Sequence, residues 1–85
     1  MWIEKDNQLA CELEFKDFAQ AMGFINEVAL KAEKMNHHPN WSNSWNKVQI
    51  YLYTHTAGNI VTDKDRKLSE IIEKVYEKYK SKEKE

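Results

Sequence analysis

The chain has 85 residues, with 13 Lys or Arg against 14 Asp or Glu and a formal net charge of -1. A chain of this length, read as one domain over residues 1-85, buries only roughly 60 to 65% of the surface its unfolded form exposes. The near balance of charge supplies no polyanion-attracting field, so nucleic acid is not expected as a direct partner. The single cysteine, Cys11, excludes an internal disulfide and fits a reducing compartment. No stretch approaches the ~18 apolar residues of a membrane span, and Met1-Trp2-Ile3-Glu4-Lys5 turns polar within a few residues, unlike a secretory leader. These features together predict a cytoplasmic protein with no membrane partner.

In chain order, Trp2-Ile3-Glu4 reads as a first strand and Asp6-Asn7 as a hairpin turn. Leu9, Cys11, Leu13 and Phe15 alternate with Ala10, Glu12 and Glu14, the period of a strand with one buried face. That phase places Cys11 in the core as a small apolar residue. Phe18, Ala21/Met22, Ile25, Val28/Ala29, Ala32 and Met35 recur every three or four residues and predict an amphipathic helix of about five turns. Asn36 suits its end, and Pro39 forbids continuation while pushing His38 toward an extended conformation.

Trp41 to Trp45 and Val48 to Thr54 read as two further strands separated by Asn46-Lys47. Val48, Ile50 and Leu52 form the apolar face, so parity takes His55 off the core side. Gly58-Asn59 marks a loop, and Thr62 is a good N-cap with Asp65 three residues later. Leu68, Ile71/Ile72, Val75 and Tyr79 give the last helix its stripe, and the polar tail over about 80-85 is expected to fray. The pattern is α+β: a four-stranded antiparallel sheet with two helices packed on one face, in the order ββαββα.

All three histidines fall within Glu33 to His55, two of them in the corner His37-His38-Pro39 and the third at a strand end. Imidazole has an ordinary pKa of ~6.5, so it can both give and take a proton near neutral pH. With Trp41 and Trp45 close in sequence, the run predicts a proton-transfer pocket with stacking walls. Glu33, one helical turn before His37, can reach back to the corner and fix a ring tautomer. Asp65, in the first turn of the last helix, is favoured as an ion by the helix dipole and can orient a nearby histidine.

These residues carry a resemblance to a known family. Glu33, His37-His38-Pro39, Trp45 six residues after the proline, Asn46-Lys47-Val48, Thr54-His55 and an aspartate about ten residues on, at Asp65, follow one another as in pterin-4a-carbinolamine dehydratases. Phe15-Lys16-Asp17-Phe18 and Ala32-Glu33 extend the likeness, which runs from about Trp2 to about Tyr76. Members commonly carry Gly-Leu-Ser/Thr before the aspartate, where this chain has Gly58-Asn59-Ile60-Val61-Thr62-Asp63-Lys64-Asp65, which leaves Asp63 as the alternative to Asp65.

The resemblance implies the same ββαββα layout, with a further N-terminal helix for which this sequence has no counterpart. It implies dehydration of a 4a-hydroxytetrahydropterin, as in tetrahydrobiopterin biosynthesis, without a cofactor or metal. It also implies a homo-dimer or homo-tetramer. His37, His38, His55 and Asp65 then stand as catalytic residues, with His37 and His55 for proton transfer and His38 for holding the pterin. Glu33, Pro39 and Trp41 stand as substrate contacts. Two other readings compete. A three-histidine metal site lacks a sulfur ligand or a helical His-x-x-x-His pair. A noncatalytic, homo-oligomeric protein-binding module is implied by relatives that double as partners of transcription factors.

Overall fold

The computed structural model describes residues 1–84, with side chains through residue 80. Asp6 and Asn7 both take positive φ, 54° and 63°, the pair of left-handed residues that a type I′ hairpin needs and that short polar side chains tolerate. Their turn joins β1 (Ile3–Lys5) to β2 (Gln8–Glu14). A second hairpin joins β3 (Asn40–Ser44) to β4 (Lys47–Leu52), and the four strands form one antiparallel sheet in the order β1-β2-β4-β3.

The register pairs Leu9 with Leu52, Cys11 with Ile50 and Leu13 with Val48, so the apolar residues of both central strands share one face. That face is covered by α1 (Phe18–Met35) and α2 (Asp63–Lys84), giving the ββαββα order and one-sided helix layer that the sequence predicts. Phe24, Val28 and Ala32 of α1 meet Leu68, Ile72 and Val75 of α2 in the core. Cys11 lies among them, where burial pushes its thiol up to about 12. The Phe15 ring lies tilted against Phe24 with centroids 4.9 Å apart and meets Tyr76 and Tyr79 edge-on at 5.3 and 5.8 Å. Phe24 near the start of α1 thus lies against the far part of α2, which makes the helices antiparallel. The polar tail ends α2, whose helix is assigned through Lys84; Glu85 and the side chains after Lys80 lie outside the described residues.

Strand boundaries differ from the sequence reading by one or two residues, and two of the differences bear on the hairpin and the site. Trp45 was expected at the end of a strand with the turn at Asn46-Lys47, but Ser44 pairs with Lys47 and the turn is Trp45-Asn46. Trp45 takes φ 53° and is 67% exposed. The reason lies in side-chain hydrogen bonds that alternation cannot register. Asn43 Nδ2 donates to the carbonyls of Trp45 and Lys47, while Asn46 Nδ2 donates to Phe15 O and Asn46 O accepts from Phe15 N–H. At the other end β4 stops at Leu52 and not at Thr54, which keeps only an isolated bridge to Ile60.

Both ends of α1 are closed by short polar residues. Asp17 Oδ1 accepts from Gln20 N–H at 2.8 Å at the start. Asn36 closes the other end in the left-handed conformation (φ 53°, ψ 40°), and His37 N–H reaches back to Ala32 O at 3.1 Å. This last bond turns the chain at once and fixes the backbone of His37 on the helix end. Asn36→Val is therefore expected to destabilise by about 1–2 kcal/mol, because a β-branched residue resists left-handed backbone, while Asn36→Gly should be nearly neutral. Thermal unfolding of the two variants distinguishes them; equal losses would show that the cap conformation is not the determinant.

Candidate active site

Three segments converge where the end of α1, the end of β4 and the start of α2 meet. The helix cap delivers His37, the bridge after β4 delivers Thr54, and the first turn of α2 delivers Asp65. Asp65 is fully buried, at 0% exposure. An ionised carboxylate in such a place must have its lone pairs filled, and here they are. His37 Nε2–H donates to Oδ1 at 2.6 Å. Thr54 Oγ1–H donates to Oδ2 at 2.7 Å and Thr62 N–H to the same oxygen at 2.9 Å. The Thr62 contact is one half of a capping box, in which the third helical residue reaches back to the cap.

Burial pushes the Asp65 carboxyl up, but the hydrogen bonds from His37, the Thr62 N–H and Thr54 outweigh it and hold the group below its ordinary value. Since a carboxylate only accepts, His37 Nε2 carries the proton and Nδ1 is the nitrogen left for chemistry. His37 itself is 9% exposed.

The other two histidines sit at the surface. His38 Nε2–H donates to Glu33 Oε1 at 2.9 Å, so Glu33 reaches the corner through His38 rather than His37. His55 opens a single 3₁₀ turn (His55–Ala57), and its Nδ1 contacts Asn59 Oδ1 at 2.9 Å, which leaves Nε2 open. Gly58, at φ 91°, closes that turn by donating to His55 O. His55 leaves the core side as parity predicts, though by way of this turn and not of a continuing strand.

His37, His38 and His55 line one cleft of about 500 Å³. Asn36 and Asn40 border it on the side of the corner, and Tyr53, Thr54, Thr56 and Lys64 on the other. Asp65 lies beneath this wall, behind His37, while Asp63 is exposed. Glu33 and Pro39 flank the corner outside the lining. Trp41 packs partly buried against the core on the helix side of the sheet, and Trp45 stands out in solvent at the hairpin tip. The aromatic wall of the cleft is instead Tyr53. Among the described residues, no group of three His, Cys, Asp or Glu is placed to hold a metal ion, and no helix is long and apolar enough to cross a membrane.

A sheet backed by two antiparallel helices, with an imidazole-lined cleft over a buried carboxylate at one end, defines a small α+β pocket protein. The profile of the pterin 4 alpha carbinolamine dehydratase family matches residues 1–75, and the chain belongs to that family. Two proteins of Prochlorococcus marinus, provisionally named pterin-4-alpha-carbinolamine dehydratases, are similar in sequence. The one from strain NATL2A is 46% identical over 74 residues, covering 87% of this chain and 77% of that protein. The one from strain MIT 9515 is 44% identical over 77 residues, covering 91% and 79%. The crystal structure of a transcriptional coactivator/pterin dehydratase from Brucella melitensis superposes with a TM-score of 0.83 at 38% identity, over 87% of this chain and 80% of the other. A pterin dehydratase-like protein identified as a RuBisCO assembly factor in the alpha-carboxysome shares the fold, with a TM-score of 0.70 at 22% identity over 88% and 86% of the two chains.

The depressed Asp65 pKa has a consequence for stability. A carboxyl whose folded value lies below its unfolded one stabilises the fold fully above the unfolded pKa of ~3.9 and loses that contribution as pH falls through the folded value. Asp65→Asn cannot lose what it lacks. Urea unfolding between pH 7 and about pH 3 should therefore show a smaller acid-induced loss for Asp65→Asn than for the wild type, on top of a lower stability at pH 7. Parallel pH profiles would contradict the assignment.

Proposed function

We propose that the protein is a pterin-4a-carbinolamine dehydratase, removing water from a 4a-hydroxytetrahydropterin to give the quinonoid dihydropterin. The reaction breaks the C4a–O bond, with a proton delivered to the departing hydroxyl, and removes the N5 proton as the C4a=N5 double bond forms. It needs one acid and one base close together, each able to change charge near neutral pH. Three imidazoles on one cleft meet that need with this chain's own residues.

The observation that carries the reading is His37: a nearly buried cleft residue whose Nε2–H is held by an ionised, fully buried carboxylate. This arrangement leaves Nδ1 as the proton-accepting atom and sets a counter-charge behind the ring, the role a buried aspartate plays behind a catalytic histidine elsewhere. His55, with Nε2 open across the cleft, is the partner for the second proton. His38 and its Glu33 contact border the bound ring, and Tyr53 supplies an aromatic wall for a flat heterocycle. Asp65 acts through His37 and is a positioning residue.

A dehydration assay on freshly generated 4a-hydroxytetrahydropterin tests this directly. The wild type should accelerate the reaction clearly over buffer, and His37→Ala and His55→Ala should each lower kcat by about 10²- to 10⁴-fold with the fold intact. A wild-type rate equal to buffer would remove the enzyme reading and leave the noncatalytic binding module in its place.

A further inference from the structure

We infer that Asn59 is a positioning residue of the site: it holds His55 with a proton on Nδ1, so that Nε2 is the nitrogen that exchanges a proton in the cleft. The inference rests on the dehydratase reading and adds to it the residue that orients the second imidazole. His55 is exposed, so no packing fixes its ring. Its Nδ1 lies 2.9 Å from Asn59 Oδ1, and among the described residues no other side chain bonds to the ring. An amide oxygen only accepts, so Nδ1 carries the proton. That bond serves the neutral ring and the imidazolium alike, because Nδ1–H is present in both. The proton that comes and goes is then the one on Nε2.

The backbone places Asn59 for this task. It takes φ 62°, a left-handed conformation that asparagine accepts more readily than most residues. Its N–H donates to Thr54 O at 3.0 Å, and Thr54 N–H donates to the carbonyl of the next residue, Ile60, at 2.8 Å. Thr54 is itself buried and fixed by its hydroxyl on Asp65. The carboxylate that holds His37 directly thus holds His55 through Thr54 and Asn59. The two rings present different nitrogens to one cleft, Nδ1 from His37 and Nε2 from His55. Asn59 is not part of the cleft wall and lines a separate hollow that shares Tyr53 with it, so it acts through His55 and not on the substrate.

Two substitutions test this. Asn59→Gly removes the amide and keeps the left-handed backbone, whereas Asn59→Asp keeps an acceptor at the same place. In nitrogen NMR spectra of the wild type, the neutral His55 ring should be protonated at Nδ1. Asn59→Gly should shift that ring toward the Nε2–H form, which histidine favours in water when Nδ1 has no partner, and should leave the His37 ring as it is. Its kcat for dehydration should fall by about three- to tenfold, the size expected for one neutral hydrogen bond, with KM changed less. Asn59→Asp should restore Nδ1–H and recover most of kcat. A neutral wild-type His55 protonated at Nε2, an Asn59→Gly protein unchanged in tautomer or in kcat, or an Asn59→Asp protein no better than Asn59→Gly overturns the inference alone, since wild-type dehydration would still proceed. A wild type that does not dehydrate the pterin overturns the dehydratase reading, and the positioning role falls with it whatever the tautomer.

Discussion

A charge with no access to water organises this structure. The carboxylate of Asp65 is out of contact with solvent, and a buried ion is tolerated only when hydrogen bonds replace its hydration. The donors come from three places: the residue after the α1 cap, the residue bridging out of β4, and the backbone at the start of α2. Each donor is fixed by its own element, so the carboxylate sets how those elements meet. Removing one partner from such a group typically costs about 3–5 kcal/mol, because the remaining charge stays buried and uncompensated. The same contact that satisfies the charge selects the His37 tautomer, so folding and the chemistry of the cleft share one bond.

Away from the cleft, the packing between the two helices and the sheet is aromatic. Phe15, Phe24, Tyr76 and Tyr79 interlock there in tilted and edge-on contacts, and the buried aliphatic residues between fill the space down to Leu68. Close packing resists small displacements, since each side chain already rests on its neighbours. Antiparallel helices gripped at one end by aromatic packing present their other ends, one a C-terminus and one an N-terminus, at a set separation. A 2.6 Å contact between His37 and Asp65, 28 residues apart in sequence, depends on that separation.

Much of this was legible in the sequence, and the parts that were not have a common cause. Alternation at Leu9–Phe15 and Val48–Leu52 and the three-to-four spacings within Ala21–Ala32 and Leu68–Val75 report burial, so they revealed the sheet face and both helices. Asp6-Asn7 and Asn36 revealed turns, because few other residues accept left-handed backbone. The histidine corner and Asp65 stood out by chemistry and by resemblance. Trp45 was misplaced because the side chains of Asn43 and Asn46 fix the hairpin, and such bonds leave no periodic trace. Tyr53 and Lys64 were missed as cleft residues for a related reason: one reads as an ordinary outward strand residue and the other as a solvated helix charge until the fold brings them beside the histidines.

The central claim is that buried Asp65 holds His37 with its proton on Nε2, leaving Nδ1 to the cleft. Long-range proton–nitrogen correlation spectra of the imidazole rings test it most directly. The account predicts that the neutral His37 ring shows a protonated Nε2 and an unprotonated Nδ1, with Nδ1 the nitrogen that gains a proton on acidification. A neutral ring protonated at Nδ1 would contradict it.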